Sequence, residues 1–131
     1  MSFDLQFVYC GPGLKFDDEL LEAGMNYEGR ATEEEQSRIR RLAETLVESF
    51  EGASWGEMSG GIAKGAWVES DELPEIDIGA KGAFLSSKPD PNDPETLDLF
   101  KKLLAVFESC GYVCVDLQRG AVVRASSFTF G

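Results

Sequence analysis

The stretch from 75 to 118 constrains the fold more than any other part of the chain. Ile76 and Ile78 alternate with Glu75, Asp77 and Gly79, the period-2 pattern of a strand with one buried face. Gly79-Ala80-Lys81-Gly82 makes a turn, and Ala83-Phe84-Leu85 resumes an extended apolar run. Pro89, Pro91 and Pro94 then exclude regular structure up to a helix start. There Asp93 caps, and Pro94 takes the first helical position, where its missing N–H costs nothing. Leu97, Phe100, Leu103, Leu104 and Phe107 fall on one helical stripe. Gly111 stops the helix, and Tyr112 to Gln118 returns as a strand. The unit reads strand, turn, strand, helix, strand.

The remaining segments add to this unit. Phe3, Leu5 and Phe7 share one face of a first strand over 3–9, broken by Gly11-Pro12-Gly13. The acidic segment 16–29 reads as a solvated insertion, with a short helix capped by Asp17 and ended by Gly24 as its most regular form. The segment 32–50 is a helix: Thr32 and Glu35 form a capping box, and Ile39, Leu42, Ala43, Leu46, Val47 and Phe50 recur at helical spacing. Arg38, Arg40 and Arg41 sit within reach of Glu34, Glu35, Glu44 and Glu48 and read as surface pairs. Between 53 and 70, Ala66-Trp67-Val68 belongs to a strand and 59–65 is a glycine-rich tip without phosphate-loop order. The run 69–77 holds five acids and reads as a solvated loop. Ala121 to Arg124 extends or hairpins onto the sheet, and the apolar tail Phe128-Thr129-Phe130 docks on the domain or on a neighbouring subunit.

Composition excludes several function classes. The 131 residues, 43% hydrophobic, suffice for one domain, 1–131, with a single core. No apolar run approaches the roughly 20 residues of a membrane span. No basic leader precedes Phe3, so a cytoplasmic location is expected. Three cysteines, Cys10, Cys110 and Cys114, read as buried free thiols. With no histidine, Ser-His-Asp and Cys-His catalysis and His-based metal sites are excluded, and no cofactor or metal is expected. Net charge is −12, which disfavours nucleic acid and anionic membranes and favours a basic partner.

The β-α-β-β-α-β order, with one apolar stripe per helix, predicts an α+β fold: two helices on one face of an antiparallel sheet, a ferredoxin-like split βαβ sandwich. The other face is left for loops, a second subunit (a homodimer) or a ligand. Met1-Ser2-Phe3-Asp4-Leu5 and Gly111-Tyr112-Val113-Cys114-Val115-Asp116-Leu117-Gln118, with the strand pair between them, resemble small bacterial proteins that open "MSYDL" and end "YDPQ". Leu117 stands where that pattern has proline. Some of those proteins look like immunity proteins of bacterial toxin systems. The resemblance implies no catalytic residue.

Three functions follow as expectations. The first is a non-enzymatic, acidic domain that binds a basic protein, such as a toxin or effector. It would do so through Asp17, Asp18 and Glu19 and through Trp67, Glu69, Asp71, Glu72, Glu75 and Asp77, with an exposed tryptophan serving as an anchor. The second is an enzyme or small-ligand binder on the open sheet face, using Asp77 and Asp116 with Glu75. The third is a nucleic-acid mimic, which requires carboxylates spaced like phosphates.

Overall fold

The structure, a computed structural model, describes residues 3–25 and 29–130. Met1 and Ser2 of the MSYDL-like opening, and 26–28 of the acidic segment, lie outside the described residues. In chain order the elements are β1 (Phe3–Tyr9), α1 (Asp18–Met25), α2 (Glu33–Ser49), β2 (Ser54–Glu57), β3 (Ala66–Glu69), β4 (Ile76–Ile78), β5 (Gly82–Ser87), α3 (Pro94–Ser109), β6 (Tyr112–Asp116) and β7 (Ala121–Val123). Single 3-10 turns lie at Ile62–Lys64 and Ala125–Ser127.

All seven strands join one open antiparallel sheet in the order β2-β3-β4-β5-β1-β6-β7. The α+β class and the antiparallel sheet hold, but the sheet has seven strands in place of the four of the expected β-α-β-β-α-β order, and there are three helices in place of two. β2 escaped the period-2 reading because Ser54-Trp55-Gly56-Glu57 carries one large apolar residue in four.

Helix starts follow local chemistry. The Thr32 hydroxyl accepts from the Glu35 N–H at 3.2 Å, and the Glu35 carboxylate accepts from the Thr32 N–H at 2.9 Å, closing the capping box. The Asp93 carboxylate accepts from the Glu95 N–H at 3.0 Å, with Pro94 at the first position. The apolar stripes of both helices bury Ile39, Leu42 and Leu46 of α2 and Phe100, Leu103, Leu104 and Phe107 of α3. They meet Leu5, Phe7, Val68, Ile76, Ile78, Leu85 and Cys114 in one core. Register explains the strand contribution: Leu5 faces Leu85, Leu85 faces Ile76 and Ile76 faces Val68, so four strands present one apolar row to the helices.

The acidic segment is not a free insertion. Asp17 Oδ1 accepts from the Leu20 N–H at 2.8 Å and caps α1, as expected, but Gly24 does not end the helix. It is buried inside α1, where a side chain would meet the Val8 methyls at 2.9 and 3.0 Å. Its carbonyl accepts from the Gln6 amide at 3.1 Å. A helix without side-chain bulk at this point can lie against β1 and β5 on the sheet's second face. Gly82 completes the close approach. A methyl there would stand 2.5 Å from the Gly24 carbonyl oxygen and 2.6 Å from that of Phe7, both backbone. Gly82→Ala is therefore expected to cost about 1–3 kcal/mol by overpacking, read as a lower urea midpoint. An unchanged midpoint would mean that α1 does not seat there.

The tail docks on its own domain. Phe128 is buried, and the rings of Phe3, Phe100, Phe128 and Phe130 pack with centroids 5.2–6.2 Å apart. All three cysteines are free, but Cys114 alone is buried; Cys10 and Cys110 are half-exposed. No helix among the described residues is long and apolar enough to cross a membrane.

Candidate functional site: the second face of the sheet

Strand alternation sends half of each strand away from α2 and α3. One cross-strand row on that side runs Gly56, Trp67, Asp77, Phe84, Gln6, Val115, Val122. The next row places Glu69 opposite Glu75 by the same register. Toward β1, Gln6 and Val8 are sealed beneath α1, whose Gly24 touches both. Toward β2, Trp67 and Phe84 stay half-exposed on either side of Asp77.

Glycine shapes this end. A Cβ at Gly56 would lie 2.3 Å from the Trp67 indole, so the ring rests directly on the β2 backbone. Beside it, Met58, Ser59, Lys64, Asp77, Ile78 and Phe84 line a recess of about 420 Å³. Its wall is mostly apolar, with Asp77 set into it. Asp77 Oδ1 is buried without a hydrogen-bond partner. A hydrogen bond to Asp77 and then its negative charge push the Glu75 carboxyl above its usual range, and the charge of Glu69 adds to this. Glu75 itself is exposed. Three carboxylates thus crowd one another beside two aromatic rings, an arrangement relieved by a cation.

Four of the nine sequence-derived binding residues, Trp67, Glu69, Glu75 and Asp77, meet on this face. The other five do not join them. Asp17, Asp18 and Glu19 begin α1, and no hydrogen bond or ion pair among the described residues ties them to the row. Asp71 and Glu72 are exposed in the β3–β4 connection, where the Ser70 hydroxyl accepts from the N–H groups of Glu72 and Leu73. The run 69–77 is therefore part loop and part strand, not one solvated loop. Phe84, Met58 and Lys64 were not picked out from sequence. Phe84 had a signal: an apolar residue between Ala83 and Leu85, on the wrong parity for the core.

Asp116 lies on the opposite side of the sheet from Asp77. It faces Leu5, whose row continues through Leu85 to Ile76, the neighbour of Asp77. The two carboxylates cannot converge. Asp116 is fully buried and closes the β6–β7 turn: Oδ1 accepts from the N–H groups of Gln118 at 3.0 Å and Arg119 at 3.3 Å, and Oδ2 stands 3.2 Å from Arg119 Nε. The turn forms with Leu117 in place of proline, and the Gln118 side chain accepts from the Asp4 N–H at 3.0 Å.

The arginines of α2 are also not the surface pairs expected. Arg38 pairs loosely with Glu35 at 3.9 Å, but its guanidinium lies 3.8 Å over the Tyr9 ring and donates to the Ala80 carbonyl at 2.9 Å. Arg40 and Arg41 make no ion pair among the described residues. No group of three or more Cys, Asp or Glu side chains among the described residues is placed to hold a metal ion. Compared with known proteins, the chain matches no family model, no curated protein and no solved structure.

Proposed function

We propose that the second face binds a basic protein, with a lysine or arginine of the partner entering the recess beside Asp77. The observation that carries this reading is the buried, unpartnered Asp77 Oδ1 in an apolar recess lined by Phe84, with Trp67 as its other cross-strand neighbour. A cationic side chain would lay its methylene stem on Met58 and Phe84 and bring its charge to the carboxylate. Trp67 would supply the flat, rigid contact area that dominates binding energy at such surfaces. The net charge of −12 would speed encounter with a basic partner. A toxin or effector neutralised in the cytoplasm is the partner type the bacterial resemblance suggests, and no reaction is performed on this face. We also read β1, β4, β5 and β6 with α2 and α3 as a split βαβ kernel, to which β2, β3, β7 and α1 are additions.

The enzyme alternative is weakened by the opposed faces of Asp77 and Asp116. The nucleic-acid mimic is weakened because Trp67 and Phe84 interrupt the carboxylates, leaving a mixed patch in place of a phosphate-like line. The test is recovery of a partner from native lysate at low salt, followed by affinity measurements on variants. Trp67→Ala and Asp77→Asn are each expected to weaken binding by about ten- to a hundredfold, and affinity should fall as salt rises. Glu44→Gln, exposed on α2 across the sheet, serves as the acidic control. If no protein is recovered, or all three variants bind equally, the assignment to this face fails.

A further inference from the structure

A second recess, about 150 Å³, opens on the helix-bearing side, between the first half of α2 and the adjoining ends of β1 and β6. Tyr9, Glu34, Ser37, Arg38, Arg41 and Tyr112 line it. Two buried polar atoms in it lack a partner: the hydroxyl of Tyr112, a residue 3% exposed, and Arg38 Nε. Buried polar groups are seldom left unpaired. Burial pushes the Tyr112 phenol well above its usual range, against the charge of Arg38 and a hydrogen bond from it; the guanidinium only donates and does not deprotonate, so the Tyr112 O–H proton still has no acceptor.

Arg38 is held in place before any ligand arrives. Tyr9 lies under its plane, the Ala80 carbonyl takes one Nη, and Glu35 stands at 3.9 Å. Ser37 and Arg41 add a hydroxyl and a second positive charge. On the negative side are Glu34, Glu35 and the end of α3 at Cys110, but the last carbonyls of α3, Val106 to Glu108, already accept from Cys110, Gly111 and Ser109. The lining is rich in donors. Water would bring protons that also need acceptors, whereas an oxyanion brings acceptors only. At about 150 Å³ the recess has room for one small acidic group.

We propose that this recess binds a small oxyanion, a carboxylate or phosphate group, between Arg38 Nε and the Tyr112 hydroxyl. Inorganic phosphate and, separately, acetate are titrated into the full chain at ionic strength held constant with chloride. The Arg38 Nε–H resonance and the melting temperature are followed together. A saturable shift of that resonance is expected, with the tighter of the two anions identifying the group. Tyr112→Phe is expected to weaken binding at least about tenfold by removing one charge-assisted hydrogen bond. If that variant does not fold, exposed Arg41→Ala is read in its place, with a several-fold loss expected. No saturable shift with either anion up to about 50 mM, far above a millimolar dissociation constant, would overturn the proposal. So would equal binding by the wild type and the variant that is read.

Discussion

Phe107→Ala is expected to lower the free energy of unfolding by about 3–5 kcal/mol. Phe107 is fully buried, stacks on Phe7 with centroids 3.7 Å apart and planes 12° from parallel, and meets the edge of Tyr112 at 5.5 Å. Phe7 lies in β1, paired on both sides by β5 and β6, so the truncation opens a cavity where α3 presses on an interior strand of the sheet. A domain of this size is stable by only about 5–15 kcal/mol in total. The loss is therefore about a fifth or more of what holds it folded. Urea denaturation of the variant beside Phe107→Leu, which refills part of the volume, measures the effect. A cost below about 1 kcal/mol for the alanine variant would mean that α3 does not pack there.

Phe128→Ala is expected to cost about 3–4 kcal/mol, a large effect for a residue two positions from the last described one. Phe128 is 1% exposed, stacks with Phe100 at 6.2 Å, and meets Phe3 and Phe130 edge-on at 5.8 and 5.3 Å. The Arg119 guanidinium donates to the Thr129 carbonyl at 2.7 Å and ties the tail to the β6–β7 turn. Phe130→Ala should cost less, because Phe130 remains half-exposed. Docking within the domain also makes the Phe128→Ala loss independent of protein concentration. Docking on a neighbouring subunit would make it fall or grow with dilution, so unfolding at two concentrations tells the two apart.

What was readable beforehand follows from range. The caps at Thr32 and Asp93, the stop at Gly111 and the parity of Ile76 and Ile78 depend on residues within four positions of one another. Hydrogen-bond geometry and side-chain alternation decide them locally. Strand parity even separated the faces in principle: Trp67 and Asp77 lie off the core parity of Val68 and Ile76.

The candidate face is different, because it depends on which strands become neighbours. Nothing near position 56 announces that its glycine will carry the indole of Trp67, and nothing near position 82 announces two backbone carbonyls closing on it. A one-residue change of register would send Asp77 into the core and bring Asp116 to the other side. Likewise Arg38 has glutamates within one turn, yet it stacks on Tyr9, which is 29 positions away. The sequence by itself determined the class, the helices and the sign of the charge, through local propensities and composition. Only the tertiary structure decided which carboxylates share a surface and which buried donors lack a partner, because those depend on contacts between residues far apart in the chain.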